Sequence, residues 1–149
     1  IYWFVVRKQK ENEEEATYKA MPPYEEAIYR LNELDEKLLW QNNKIKEYYS
    51  ELTEIIRGYI ERELKVPALE NTTDEVLDML KDFKDSETIQ TSKETLKKLK
   101  ELLREADLVK FAKSKPLANE IEEDRKDAEE IISNLTPKPI IGKDDDELE

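Results

Sequence analysis

Few side chains in this sequence could do chemistry on a substrate, because the chain contains no cysteine and no histidine. It therefore lacks thiol nucleophiles, thiolate and imidazole metal ligands, and the usual general base near neutral pH. Its serines and threonines have no neighbouring imidazole that could deprotonate them. We therefore expect a noncatalytic protein with no catalytic residue, no cofactor and no metal site.

Carboxylate pairs are the remaining candidates for acid–base or metal chemistry. Glu61 with Glu63 and the run 122–124 are such groups, but neither has the spacing of a carboxylate metal cage. Solvated helix faces explain both groups better. The only glycines are Gly58 and Gly142, too few for a phosphate-binding loop. Gly58 falls inside a predicted helix, where an exposed, tolerated glycine is favoured slightly over a close helix crossing.

Two charged residues, Asp107 and Lys110, interrupt an otherwise apolar segment that ends in Phe111. One hypothesis is that Asp107 or Lys110 is partly buried and paired across the protein, with Arg57 as a third charge. The alternative, two exposed charges at a helix edge, is equally compatible with the pattern. All four residues are candidates for partner binding or for a structural contact.

Aromatic residues provide a second candidate surface. Trp40, Tyr48, Tyr49 and Tyr59 are predicted to cluster around one helix junction. Aromatic side chains are frequent anchors at protein interfaces. At this spacing, however, burial in the core with the hydroxyl groups reaching water or a partner is the stronger interpretation.

Helical periodicity organises the segments that must position these residues. Apolar residues at helical spacing predict a helix over about 24–40, with a stripe of Ala27, Leu31, Leu34 and Leu38, and a stronger one from Ile45 to Leu64. Thr72 and Glu75 have the spacing of a capping box and predict the start of a third helix, which ends before a loop at 84–90.

Two further helices complete the prediction. Thr91 and Glu94 repeat the capping-box spacing, and the apolar stripe that follows continues until Pro116. A last helix, about 117–135, is expected to bury an apolar stripe that includes Leu117 and Leu135. Because no segment alternates apolar and polar residues, we predict no sheet and an all-α, single-domain bundle of about five amphipathic helices over residues 22–135.

The charge of the chain limits its partners. The formal net charge is −12, and the segment 143–149 carries five acids and one base, which contribute −4. Residues 11–21 are predicted to be an acidic linker, and residues 136–149 a disordered acidic tail. An acidic body argues against nucleic acid as a partner, since phosphate binding needs a cationic face.

The first ten residues have the character of the cytoplasmic end of a transmembrane helix. A wholly apolar run is followed by three cations; the expected anchor comprises Ile1, Tyr2, Trp3, Phe4, Val5, Val6, Arg7, Lys8 and Lys10. Aromatic residues suit the headgroup region, and the cations suit the positive-inside rule. Six apolar residues are too few to span a bilayer, which takes roughly 20, so the run would be the end of a longer segment. The alternative is a hydrophobic arm that packs on the domain or frays.

Several sequence motifs resemble one family. They are Pro22-Pro23, Leu39-Trp40-Gln41-Asn42-Asn43-Lys44, Lys46-Glu47-Tyr48-Tyr49, Leu52-Thr53, Ile56-Arg57, Tyr59-Ile60 and Thr72-Thr73-Asp74-Glu75-Val76-Leu77. The most specific motif combines Leu103 with Ala106-Asp107-Leu108-Val109-Lys110-Phe111-Ala112-Lys113, before Pro116-Leu117. Over about residues 22–135 the chain resembles the cytoplasmic part of single-pass membrane proteins encoded in the Bacteroides aerotolerance (Bat) operons.

The resemblance implies a location and a set of neighbours rather than an activity. It implies a periplasmic region, one helix in the inner membrane that ends at Val6, and this domain in the cytoplasm. It also implies a MoxR-type AAA+ ATPase and membrane proteins with von Willebrand A domains as neighbours. We therefore expect a membrane-tethered docking or adaptor module for such a protein partner. The alternative is a structural module that self-associates and organises a membrane complex.

Overall fold

The protein is an all-α bundle of five helices in the computed structural model, which describes residues 20–137. The helices are α1 (Pro23–Glu36), α2 (Ile45–Leu64), α3 (Thr73–Asp85), α4 (Lys93–Phe111) and α5 (Ala118–Asn134). The predicted fold class is thus confirmed. The expected membrane anchor at 1–10, nearly all of the expected linker and the tail from residue 138 onward lie outside the described residues.

Two helices form the centre of the bundle. Helix α2 packs against α1, α4 and α5, and α4 also packs against α3 and α5. The two helices supply eight of the twelve largest fully buried side chains; these residues include Leu52, Ile56, Ile60, Leu99, Leu102 and Leu103. Burying apolar stripes of this kind is the main favourable contribution to helix packing.

The capping-box prediction is confirmed for α3 and displaced by one residue for α4. The Thr72 hydroxyl accepts a hydrogen bond from the Glu75 amide, and the Glu75 carboxylate accepts one from the Thr72 amide. At α4, Ser92 rather than Thr91 is the cap, and its hydroxyl accepts from the Thr95 amide. Ser92 has the extended backbone of a cap residue, with φ of −109° and ψ of 162°, so the helix begins at Lys93.

Two leucines that the periodicity places in the core are exposed instead. Helix α1 ends at Glu36 instead of about residue 40, because Leu38 adopts a left-handed backbone conformation with φ of 51°, and its side chain is 51% exposed. Leu117 lies before the first turn of α5, where its amide donates to the Glu120 carboxylate, and its side chain is 66% exposed. Both residues fit the helical spacing but sit just outside the helices.

The prediction of no sheet is also wrong, on a small scale. Ile89–Gln90 (β1) pairs antiparallel with Thr136–Pro137 (β2), with Ile89 opposite Pro137 and Gln90 opposite Thr136. Runs this short carry no alternation that the sequence could reveal. The pairing attaches the chain after α5 to the connection between α3 and α4.

Gly58 does not mark a close helix crossing. A methyl group built at this half-buried position would meet only the Arg30 guanidinium, at 4.0 Å. The glycine is therefore tolerated by the packing rather than required by it.

Candidate functional site

A cleft with a volume of about 690 Å³ lies where α2, the α2–α3 loop and the end of α4 meet. The sequence predicts that Arg57 lies near Asp107 or Lys110. The cleft brings these three residues together with the fourth candidate, Phe111. Its lining comprises Ser50, Thr53, Glu54, Arg57, Leu69, Asn71, Thr72, Thr73, Asp107, Lys110 and Phe111.

Arg57 connects α2 to the loop that leads into α3. Its Nη1 donates hydrogen bonds to the carbonyl oxygens of Ala68 (2.9 Å) and Asn71 (2.7 Å), and its Nη2 donates to the Thr73 hydroxyl (2.9 Å). Burial lowers the pKa of Arg57, and the nearby Asp107 carboxylate opposes that shift. A planar guanidinium suits this role, because it presents donors to several acceptors in fixed directions.

Asp107 reaches Arg57 through the Thr73 hydroxyl. That hydroxyl donates to Asp107 Oδ2 at 2.9 Å while it accepts from Arg57. Thr73 itself is only 8% exposed. The three side chains thus form a chain of hydrogen bonds across α2, α3 and α4, in which the partly buried charges are joined by a neutral bridge.

Lys110 lies beside this chain with much of its donor capacity unused. Its Nζ contacts the Thr53 hydroxyl at 3.5 Å, the limit of a hydrogen bond, and lies 5.7 Å from the centre of the Phe111 ring. Burial lowers the pKa of Lys110; Asp107 opposes this shift and Arg57 adds to it. An ammonium group has three donors, so this one could bind a carboxylate offered from outside.

The rim of the cleft is apolar. Phe111 is 80% exposed and Leu69 is 47% exposed, and both line the cleft. Exposed aromatic side chains such as Phe111 are frequent anchor residues in protein interfaces, and Lys110 beside it could bind a charged group of the same partner.

The four other aromatic candidates do not form one cluster. Tyr48 and Tyr49 are buried in edge-to-face contact, with ring centres 5.7 Å apart, and Trp40 is partly buried against the core. Tyr59 lies about three turns further along α2, where its hydroxyl donates to the Leu135 carbonyl at 2.6 Å. The prediction of one junction is wrong because ten helical residues span roughly 15 Å.

Sequence reasoning missed one carboxylate. The sequence pattern predicts that Asp124 lies with Glu122 and Glu123 on a solvated face, but Asp124 is half-buried and accepts a hydrogen bond from the Tyr49 hydroxyl. The signal was present, since Asp124 lies three residues after Ile121 and four before Ala128, both buried. Burial raises the pKa of Asp124 to about 6; the bond from Tyr49 lowers it, and Glu105 raises it further.

This raised pKa predicts a pH dependence of stability. The folded protein holds the Asp124 proton more tightly than the unfolded chain, whose pKa is near 3.8. The stabilisation from protonated Asp124 is complete below pH 3.8 and is lost as pH rises through about 6. We expect this to remove about 1 to 2 kcal/mol of the free energy of unfolding, with partial exposure limiting the effect.

Chemical denaturation at a series of pH values measures this effect. Asp124→Asn should flatten the dependence between about pH 4 and 6, whereas Glu122→Gln, at an exposed neighbour, should leave it unchanged. Tyr49→Phe should raise the pKa of Asp124 further, as read from its carboxyl carbon by NMR titration. A flat profile in the unmodified protein contradicts the prediction.

The described part of the chain provides no grouping of carboxylates that could hold a metal ion. Within residues 20–137, no helix is both long and apolar enough to cross a bilayer. Comparison with known proteins identifies no relative: no family model matches the chain, and no curated protein or solved structure shows significant similarity. Within the described residues, the fold is a single-domain helical bundle, and the cleft is a candidate binding surface on it.

Proposed function

We propose that this chain is a noncatalytic docking module that binds a partner protein in the cleft formed by α2, the α2–α3 loop and α4. The observation that carries the proposal is the position of Phe111, which is 80% exposed at the rim of the cleft. Burying such a ring typically contributes more to an interface than the polar contacts around it.

The chemistry of the cleft indicates what the partner presents. Phe111 and Leu69 offer an apolar contact, and Lys110 offers unused donors beside them. The fitting ligand is a protein segment that carries an apolar side chain next to a carboxylate. Arg57 holds the α2–α3 loop in place rather than contacting the partner, because three of its N–H donors are already hydrogen-bonded within the protein.

The sequence resemblance supports a choice of partner. The motifs around Arg57, Thr73 and Asp107 that resemble the Bat-type domain each contribute residues to the lining of this cleft. We therefore propose a MoxR-type AAA+ ATPase, or a membrane complex with von Willebrand A domains, as the docked partner. The proposal includes a tether to the inner membrane, supported by the apolar and cationic residues 1–10.

The test is binding of the chain to a purified MoxR-type ATPase encoded in the same operon. Phe111→Ser is expected to weaken binding about tenfold or more, and Lys110→Ala to weaken it less. Leu117→Ser is the matched control, because Leu117 is 66% exposed but does not line the cleft.

Two outcomes would count against the docking proposal. One is the absence of measurable binding to the ATPase and to the von Willebrand A proteins. The other is a Phe111→Ser variant that binds as tightly as the control. Sedimentation of the unmodified chain distinguishes the structural alternative, since self-association that Phe111→Ser abolishes would make a second copy the occupant of the cleft.

A further inference from the structure

A basic groove lies between α3 and α4 of this acidic protein. Its lining carries five cations and two carboxylates, a net charge of +3, on a chain whose net charge is −12. The groove has a volume of about 580 Å³, and its lining comprises Asp74, Leu77, Asp78, Lys81, Lys93, Leu96, Lys97, Lys100 and Arg104.

Most of these cations have no internal counter-ion. Arg104 binds Asp74 at 3.0 Å, but within residues 20–137 no ion pair or hydrogen bond involves the side chains of Lys81, Lys93, Lys97 or Lys100. Four of the five cations follow one stripe of α4 at spacings of four, three and four residues. Like charges at these spacings repel one another on a helix, so an anionic occupant would relieve that repulsion.

The described part of the chain ends at Pro137, beside the connection that leads into α4. Pro137 pairs with Ile89, which lies four residues before Lys93, the first cation of the stripe. The sequence that follows contains Asp144, Asp145, Asp146, Glu147 and Glu149. Twelve residues can extend up to roughly 40 Å, whereas the stripe from Lys93 to Arg104 spans roughly 16 Å.

From this complementarity and proximity we propose that residues 144–149 of this chain bind its own α3–α4 groove. The five carboxylates would pair with the free lysines, and the covalent connection would supply a high effective concentration. Because each contact is solvent-exposed, the interaction is weak per pair and sensitive to salt. The groove is distinct from the docking cleft, so this proposal does not depend on the partner proposed above.

Paramagnetic labelling of the full chain tests the proposal. The chain has no cysteine, so Leu148→Cys gives a single site for a spin label. The amide NMR signals of Lys93, Lys97 and Lys100 are expected to lose intensity at about 0.1 M ionic strength and to recover near 1 M, where the screening length falls from about 10 Å to about 3 Å.

Charge variants identify the contact. Lys97→Glu combined with Lys100→Glu should abolish the intensity loss, whereas Lys126→Glu, at an exposed site outside the groove, should retain it. The combined substitutions Asp144→Asn, Asp145→Asn and Asp146→Asn remove three charges from the segment and leave the groove unchanged. They should also abolish the intensity loss.

Three results would overturn the proposal. The first is no intensity loss at the α4 lysines. The second is a loss that the Lys97→Glu and Lys100→Glu pair leaves unchanged. The third is an equal loss when the label and the isotope are on different molecules, which would assign the groove to the acidic segment of a second copy.

Discussion

Replacing Arg57 with alanine is expected to lower the free energy of unfolding by about 2 to 4 kcal/mol. The substitution removes three hydrogen bonds from a charged donor and leaves the carbonyl oxygens of Ala68 and Asn71 without that partner. It also removes the cation that Asp107 reaches through Thr73. Urea denaturation followed by circular dichroism measures the change.

Two variants test whether geometry or charge accounts for the loss. Arg57→Lys keeps the charge, but a single ammonium group cannot reach three acceptors in different directions, so most of the destabilisation should remain. Arg104→Ala is the matched control, because the Arg104–Asp74 pair is exposed on both sides and should contribute less than about 1 kcal/mol. Equal stability of Arg57→Ala and Arg104→Ala would show that the Arg57 hydrogen bonds add nothing.

Helix periodicity and capping chemistry are local, which explains why they predicted the bundle. The apolar stripe on α2 runs from Ile45 to Leu64 without interruption, and the helix begins and ends at those two residues. Thr72 and Glu75 are three residues apart, so their reciprocal hydrogen bonds depend on little beyond the first turn of α3.

The errors fall where a residue's environment is set by distant parts of the chain. Leu38 fits the α1 stripe, but the turn that leads into α2 requires a left-handed residue there. The β1–β2 pair joins residues 46 and 48 positions apart along the chain, and each strand has only two residues. Nothing in either dipeptide distinguishes it from a loop.

The candidate cleft was partly predictable for the same reason. Asp107 and Lys110 could be identified because they are charged residues within an apolar segment. A helix that buries the apolar residues on either side brings these charges close to the core. The Thr73 bridge could not be predicted, because it depends on how α3 packs against α2 and α4. The sequence alone could not decide whether Asp107 and Lys110 are exposed or paired, because the answer depends on the same packing.

The largest effect is expected from truncating a core leucine on α4. Leu99→Ala should lower the free energy of unfolding by about 2 to 5 kcal/mol, because Leu99 is fully buried and its truncation leaves a cavity in the core. Leu108→Ala is the matched control on the same helix, since the same atoms are removed from a side chain that is 51% exposed.

The comparison tests the orientation of α4 and therefore the position of the cleft. Rotation of the helix that buries Leu108 would also turn its neighbours Lys110 and Phe111 away from the rim of the cleft. Denaturation midpoints with unchanged slopes would give the two free energies directly. A Leu108→Ala variant that loses as much stability as Leu99→Ala would contradict this orientation, whereas a large difference would support the exposed Phe111 ring on which the docking proposal depends.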